Sequence, residues 1–238
     1  MNATVLITGA ARRIGRAIAQ WAADHAWRVI LHANRSGEEA RDFGQSLIRD
    51  GAEVYIVRGD LSEPDGARKV FDQALAVAER VDAVVNNAAR FARVPLPEAD
   101  EAAFETMWRV NTLAPIALTQ CLYRHLRDRR SFGCAVNLLD RRIASPSVGA
   151  MPYLLSKKAL EAFTVSGAKE LAPVLRVNGV APGAVLLPES PEGREPAGEF
   201  PVGMRPTPDD VAEAVGYLLT AEAVTGQIIY VDGGQHLV

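Results

Sequence analysis

Seven short apolar runs, separated by longer stretches of mixed character, constrain this chain more than any other feature of its sequence. The runs are 3–9, 27–33, 52–60, 81–88, 133–140, 175–183 and 226–234. They are rich in Val, Ile and Ala and close on Gly, Asp or Ala, the pattern of strands buried on both faces. The stretches between them, 13–25, 36–50, 63–80, 99–127, 152–171 and 206–220, read as helices. Ser36 followed by Glu39 predicts a capping box at the second, and Pro115 predicts a bend in the fourth. Thr207 before Pro208 predicts a cap with Pro in the first turn of the last. Strands alternating with helices pair in parallel, because each crossover returns the chain to the same edge. Right-handed crossovers then give one α/β domain over 1–238, a doubly wound Rossmann-type fold. Its seven-stranded parallel sheet is covered by helices on both faces. A ligand site is expected beyond the strand C-termini, where the strand order reverses.

Charge and composition narrow the function. With 238 residues, 48% of them hydrophobic, the chain is long enough for a substantial core. A net charge of −3 gives no support for nucleic-acid binding, and the arginine clusters are short and scattered. No apolar run reaches about 18 residues, so no membrane span is expected. The first strand starts close to Met1, so no signal peptide is expected. Cys121 and Cys134 lack metal-type spacing, which points to a reducing, cytoplasmic setting. The four histidines, His25, His32, His125 and His236, show no ligand spacing either, and no metal site is expected. The segment 187–208 holds six Pro and three Gly and has little periodicity. A plain surface connection or a substrate loop both fit it, and its place beside a carboxyl edge favours the loop.

"TGAARRIG", residues 8–15, lies between the first strand and the first helix, the context of a dinucleotide-binding turn. Gly9 permits the tight turn, Gly15 lets the helix approach the strand, and the helix N-terminus offers amides to a diphosphate. Arg13 stands where the long-spaced pattern has a third Gly. An NAD-preferring fold has an acidic residue at the second strand end, about 20 residues on. This chain has "HANRS", with Ala33 in that region and Arg35 and Ser36 after it. Arg35, Ser36 and Arg13 suit a 2′-phosphate, which a carboxylate would repel. The residues therefore point to NADPH, although Ser36 is equally readable as a helix cap alone. "GDL" at 59–61 and "NNA" at 86–88 end the next two strands at the same edge. Asp60 is placed to accept from an adenine amino group. Asn86, Asn87 and Ala88 lie where the backbone would pass the cofactor.

Tyr153 and Lys157 are four residues apart and share a helix face. A free tyrosine titrates near pH 10, and a neighbouring ammonium lowers that value, so the pair suits proton transfer. An exposed Lys beside a half-buried Tyr is the bland alternative. Asp140 ends the fifth strand, placed to face both or to pair with Arg141 or Arg142.

In that order and spacing, "TGAARRIG", "NNA", Asn111, "YLLSK" and "APG" (181–183) resemble the short-chain dehydrogenase/reductases over essentially the whole chain. The resemblance implies a catalytic set of Asn111, Asp140, Tyr153 and Lys157, with Asp140 where most members have Ser. Three departures are similar to pteridine reductases and bacterial dihydromonapterin/dihydrofolate reductases. These are Arg13 in the turn, "HANRS", and the Asp of "NLLD". "NNAARF" places Phe91 where an aromatic ring stacks on a pterin, with Ala89 replacing a frequent Ser. The implied cofactor contacts are Gly9, Arg13, Ile14, Gly15, Asn34, Arg35, Ser36, Asp60, Leu61, Asn87, Ala88, Ala89, Tyr153, Lys157, Pro182 and Gly183. The implied substrate contacts are Arg13, Phe91, Asp140 and Tyr153. The expected protein is an NADPH-dependent reductase of dihydropterin or dihydrofolate, acting on a small molecule and assembled as a homotetramer. An NADPH-dependent carbonyl or ketoacyl reductase is the alternative. A cofactor-binding regulator without turnover is a third, opposed by the intact Asn111, Tyr153 and Lys157.

Overall fold

The computed structural model describes residues 2–185 and 200–238. Most of the expected substrate loop, 187–199, lies outside the described residues. The strands are β1 (Thr4–Ile7), β2 (Arg28–Ala33), β3 (Val54–Arg58), β4 (Ala83–Asn86), β5 (Gly133–Leu138), β6 (Leu175–Pro182) and β7 (Ile228–Val231). The helices are α1 (Arg13–Asp24), α2 (Gly37–Arg49), α3 (Gly66–Ala78), α4 (Glu101–Trp108), α5 (Ala114–Asp128), α6 (Met151–Glu170) and α7 (Pro208–Thr220). All seven strands pair in parallel in the order β3-β2-β1-β4-β5-β6-β7. The chain winds outward from β1 to β3, then returns to the other side of β1 for β4. The crevice between the ends of β1 and β4 is thus the switch point where a ligand fits.

Side-chain alternation explains why each run was so apolar. On β1, Val5 and Ile7 pack with α1, α2 and α7, while Leu6 points to the opposite layer with α3 and α5. β2, β4 and β5 divide their residues in the same way. One close approach is set by a glycine. A Cβ on Gly216 of α7 would stand 2.1 Å from the Trp21 ring on α1. Gly216→Ala is expected to destabilise the fold by about 1–3 kcal/mol through overpacking, read as a lowered midpoint in chemical denaturation.

Two local expectations are corrected. The 99–127 stretch stays helical from Glu101 to Asp128, and its irregularity is a five-residue π-helical turn, Arg109–Leu113, between α4 and α5. Pro115 sits in the first turn of α5, where its missing N–H leaves nothing unsatisfied. Ser36 makes no side-chain cap, because its backbone (φ −85°, ψ 46°) is not the extended cap geometry. Glu38 and Glu39 still place negative charge at the α2 N-terminus. At α7, Thr207 and Asp210 form the reciprocal box. Among the described residues no helix is long and apolar enough to cross a membrane.

Candidate active site

The turn after β1 is held from behind by the end of β4. The Asn87 amide donates to the carbonyls of Thr8 (2.8 Å) and Gly9 (3.1 Å). The Thr8 hydroxyl accepts the amides of Asn87 and Ala88, each at 2.9 Å. The side chain of Asn87 is therefore spent on shaping the turn. Gly9 has φ +65°, and a Cβ on Gly15 would lie 2.2 Å from the Gly9 carbonyl oxygen, so α1 abuts the turn closely. Arg13 adopts φ +56°, the left-handed conformation that the more usual Gly would take without strain. The Arg12 side chain makes no cap hydrogen bond at the start of α1. The N-terminus of that helix is the end of its dipole that suits an anion.

At the end of β2, Ala33 is buried while Asn34 and Arg35 are exposed. Arg58, which sequence reasoning passed over, pairs in register with Ala33. Its Nη2 donates to the Asn34 carbonyl at 3.4 Å, and its guanidinium packs on Gly37. The strand register alone would have exposed it. Asp60 spends Oδ1 on the amide (2.8 Å) and hydroxyl (2.6 Å) of Ser62. Those bonds, helped by Asn34 and Arg35, hold its carboxyl below the usual range. Leu61 is buried beside it. Beyond β6, Gly183 closes against Asp232, where a Cβ would stand 2.6 Å from the Asp232 Cβ. Pro182 is the last residue of β6.

The reacting end is a closed ring of contacts. The Tyr153 hydroxyl donates to Asp140 Oδ2 at 2.9 Å. Arg142 grips the same carboxylate through Nη1 (3.2 Å) and its backbone amide (2.8 Å). The Arg142 Nε also donates to the Ser147 hydroxyl at 2.9 Å. Its guanidinium lies 5.5 Å from the Phe91 ring centre, and Phe91 meets Tyr153 edge-on at 4.9 Å and 87°. Asp140 thus serves both expected partners at once, the phenol and an arginine. Arg142 was visible in sequence as half of a basic pair; which arginine turned inward was not.

Lys157 departs from expectation. Its Nζ donates to the Leu138 carbonyl at 2.6 Å and stands 5.9 Å from the Tyr153 ring centre. Burial pushes Lys157 down to about 8, with Asp140 opposing. Tyr153, expected to be lowered by that ammonium, is instead raised well above the usual phenol value. Burial is the largest cause, followed by the charge and hydrogen bond of Asp140; Arg142 opposes. The phenol therefore stays protonated near neutrality.

Asn111 projects from the π-helical turn and is fully buried. Its amide donates to the Arg90 carbonyl (2.9 Å) and the Ser156 hydroxyl (3.0 Å), and its oxygen accepts the Arg90 amide at 2.8 Å. It ties the segment carrying Ala88, Ala89 and Phe91 to the helix carrying Tyr153 and Lys157. Its side chain bonds neither the phenol nor the ammonium. Ile14 is half-buried at the start of α1.

A doubly wound parallel sheet with a glycine-bounded turn at its first crossover and a Tyr–Lys helix facing the same crevice defines a nucleotide-cofactor oxidoreductase. The chain belongs to the short-chain dehydrogenase/reductase family: the family model described as enoyl-(acyl carrier protein) reductase matches residues 9–236. Pteridine reductase 1 of Leishmania tarentolae is 30% identical over 276 residues, covering 98% of this chain and 96% of the relative. The 3-oxoacyl-(acyl-carrier-protein) reductase FabG of Aquifex aeolicus is 32% identical over 245 residues, covering 96% and 95%. The solved structure of FolM alternative dihydrofolate reductase 1 from Brucella canis, a complex with NADP, has a TM-score of 0.92. It is 32% identical and covers 100% of this chain and 95% of that one.

Proposed function

We propose that this chain is an NADPH-dependent reductase that carries a dihydropterin or dihydrofolate to its tetrahydro form. The observation that carries the reading is the 2.9 Å bond from the Tyr153 hydroxyl to the Asp140 carboxylate, at a place where most of the family has only a hydroxyl. The likeness to a pteridine reductase and to an alternative dihydrofolate reductase supports the same assignment.

The residues fit the cofactor. The start of α1 and the Gly9–Gly15 turn suit a diphosphate. Arg35, Asn34 and Ser36, with Arg58 behind them, suit a 2′-phosphate, and no carboxylate ends β2 to repel it. Ala88, Ala89, Pro182 and Gly183 line the path toward Tyr153 and Lys157. When bound, the dihydronicotinamide supplies the hydride. The chain supplies the proton and the alignment. Tyr153 gives its proton to the substrate nitrogen, and Asp140 accepts hydrogen bonds from the substrate's N–H groups. Phe91 stacks on the flat ring with the face that Arg142 leaves open. A ring parallel to Phe91 lies across the plane of Tyr153, so the phenol meets its edge.

The test is NADPH oxidation with dihydrobiopterin, dihydromonapterin, dihydrofolate and a simple ketone in parallel. Turnover with a pterin or folate and little with the ketone supports the reading. The reverse pattern favours the carbonyl reductase, which the likeness to FabG keeps in play. Binding of NADPH with no turnover on any of them would leave a regulator. Arg35→Ala is expected to weaken NADPH by about tenfold or more while leaving NADH nearly unchanged, as one charge-assisted phosphate contact is lost. Equal losses in a titration of both would remove Arg35 from the 2′-phosphate.

We further infer a cytoplasmic enzyme, since Cys121 and Cys134 are both free thiols. A homotetramer would cover Trp108, Leu113, Leu155 and Val165, large apolar side chains exposed on α4, the π-helical turn and α6.

A further inference from the structure

His32 sits near the end of β2, 2% exposed, and both ring nitrogens are used. Nδ1 accepts the Gly9 amide at 3.3 Å, and Nε2 bonds the Gly59 carbonyl at 3.1 Å. These partners settle the tautomer: an amide N–H needs a bare nitrogen, and a carbonyl needs an N–H. The His32 carbonyl also accepts the Ala10 amide at 3.0 Å, so one residue holds two successive amides of the turn. Gly59 directly precedes Asp60 and Leu61, on the adenosine side of the crevice.

We propose that His32 is a positioning residue for the cofactor. Its neutral imidazole staples the diphosphate turn to the β3 edge, and protonation releases the turn. The inference rests on the reading of this crevice as a nicotinamide-dinucleotide site. It makes cofactor affinity proton-dependent through a residue that touches no cofactor atom.

The chemistry follows from the two bonds. A second ring proton would point Nδ1–H at the Gly9 N–H, so the charged form loses that bond and sets two donors against each other. Burial lowers the His32 value, while the Gly59 bond and the Asp60 charge pull it back up. On the β3 side the charged neighbours are Asp60 and, opposite Ala33, Arg58. On the β1 side, Thr8 and Gly9 are neutral. The sign is fixed by the direction of the shift. The folded value lies below the ordinary 6.5, so nothing is lost above 6.5. As pH falls below it, the turn is progressively destabilised.

The experiment measures NAD+ affinity by calorimetry from about pH 8 to about pH 5, across the histidine range. NAD+ is used because it lacks the 2′-phosphate, which titrates in the same window. The parent is expected to weaken progressively as the pH falls below 6.5, towards about tenfold once His32 is fully protonated, the cost of one unmet amide bond. His32→Asn keeps an acceptor for Gly9 but has no proton to gain, and is expected to bind with little pH dependence. A folded parent whose affinity is flat across the range overturns the proposal, whatever the variant does. So does a His32→Asn variant that keeps the parent's full pH response. A parent that binds neither NAD+ nor NADP+ at any pH removes the cofactor reading and this inference together.

Discussion

Tyr153→Phe is expected to lower dihydropterin turnover by about 10³-fold, within the range for loss of one general acid. NADPH affinity should stay within about twofold, since a lone peripheral hydrogen bond is worth little. The asymmetry follows from geometry. The phenol is 7% exposed, its hydroxyl bonds the Asp140 carboxylate, and its ring packs against Phe91. Phenylalanine fills the same space and keeps the edge contact. Only the proton is lost. Steady-state turnover beside a fluorescence titration of NADPH separates the two quantities. Equal turnover in variant and parent would remove Tyr153 from the chemistry.

Asp140→Ser restores the residue most of the family has and separates the two enzymatic readings by sign. In the parent, the charge and hydrogen bond of Asp140 both raise the Tyr153 value. Removing the carboxylate removes both, so the phenol becomes the stronger acid. A reaction that needs only a phenol and a hydroxyl, as with a ketone, should then hold its rate or gain. A reaction that needs the carboxylate against pterin N–H groups should fall by about 10²-fold in kcat/KM, the scale of losing a charged hydrogen bond and leaving a partner unmet. Arg142 keeps its bond to Ser147 in the variant, so its guanidinium is not stranded. Measuring kcat/KM for both substrates decides the matter. A parallel loss on both would mean that Asp140 acts only by holding Arg142 in place.

The sheet was legible because its strands are buried on both faces. A strand such as β5 packs Cys134 and Val136 on one side and Ala135 on the other, and its one buried polar side chain, Asn137, is bonded to Asn86 and Thr164, so the apolar run still marks it directly. The turn at Gly9 and Gly15 was legible because close backbone approach admits no Cβ. The contacts past the strand ends were harder to read. Periodicity does not say which of Arg141 and Arg142 turns inward, or that Lys157 bonds the Leu138 carbonyl instead of supporting the phenol. Nor does it reveal a π-helical turn, since one extra residue leaves the apolar pattern of 99–127 almost unchanged. Ser36 shows the limit of motif reading. The residue types of a capping box are present, but the backbone that would aim the hydroxyl is not.

The amide of Asn111 has a consequence for selectivity. One side chain fastens both the strip bearing Phe91 and the helix bearing Tyr153, through Arg90 and Ser156. The Phe91 ring and the phenol therefore cannot drift apart independently, and the right angle between them is set before any guest arrives. Two rings fixed at a right angle work as a set square: a guest lying flat on one must turn its edge to the other. Planar rings would meet both faces of that corner, and puckered or branched ones would lose one contact even when they carry a reducible bond.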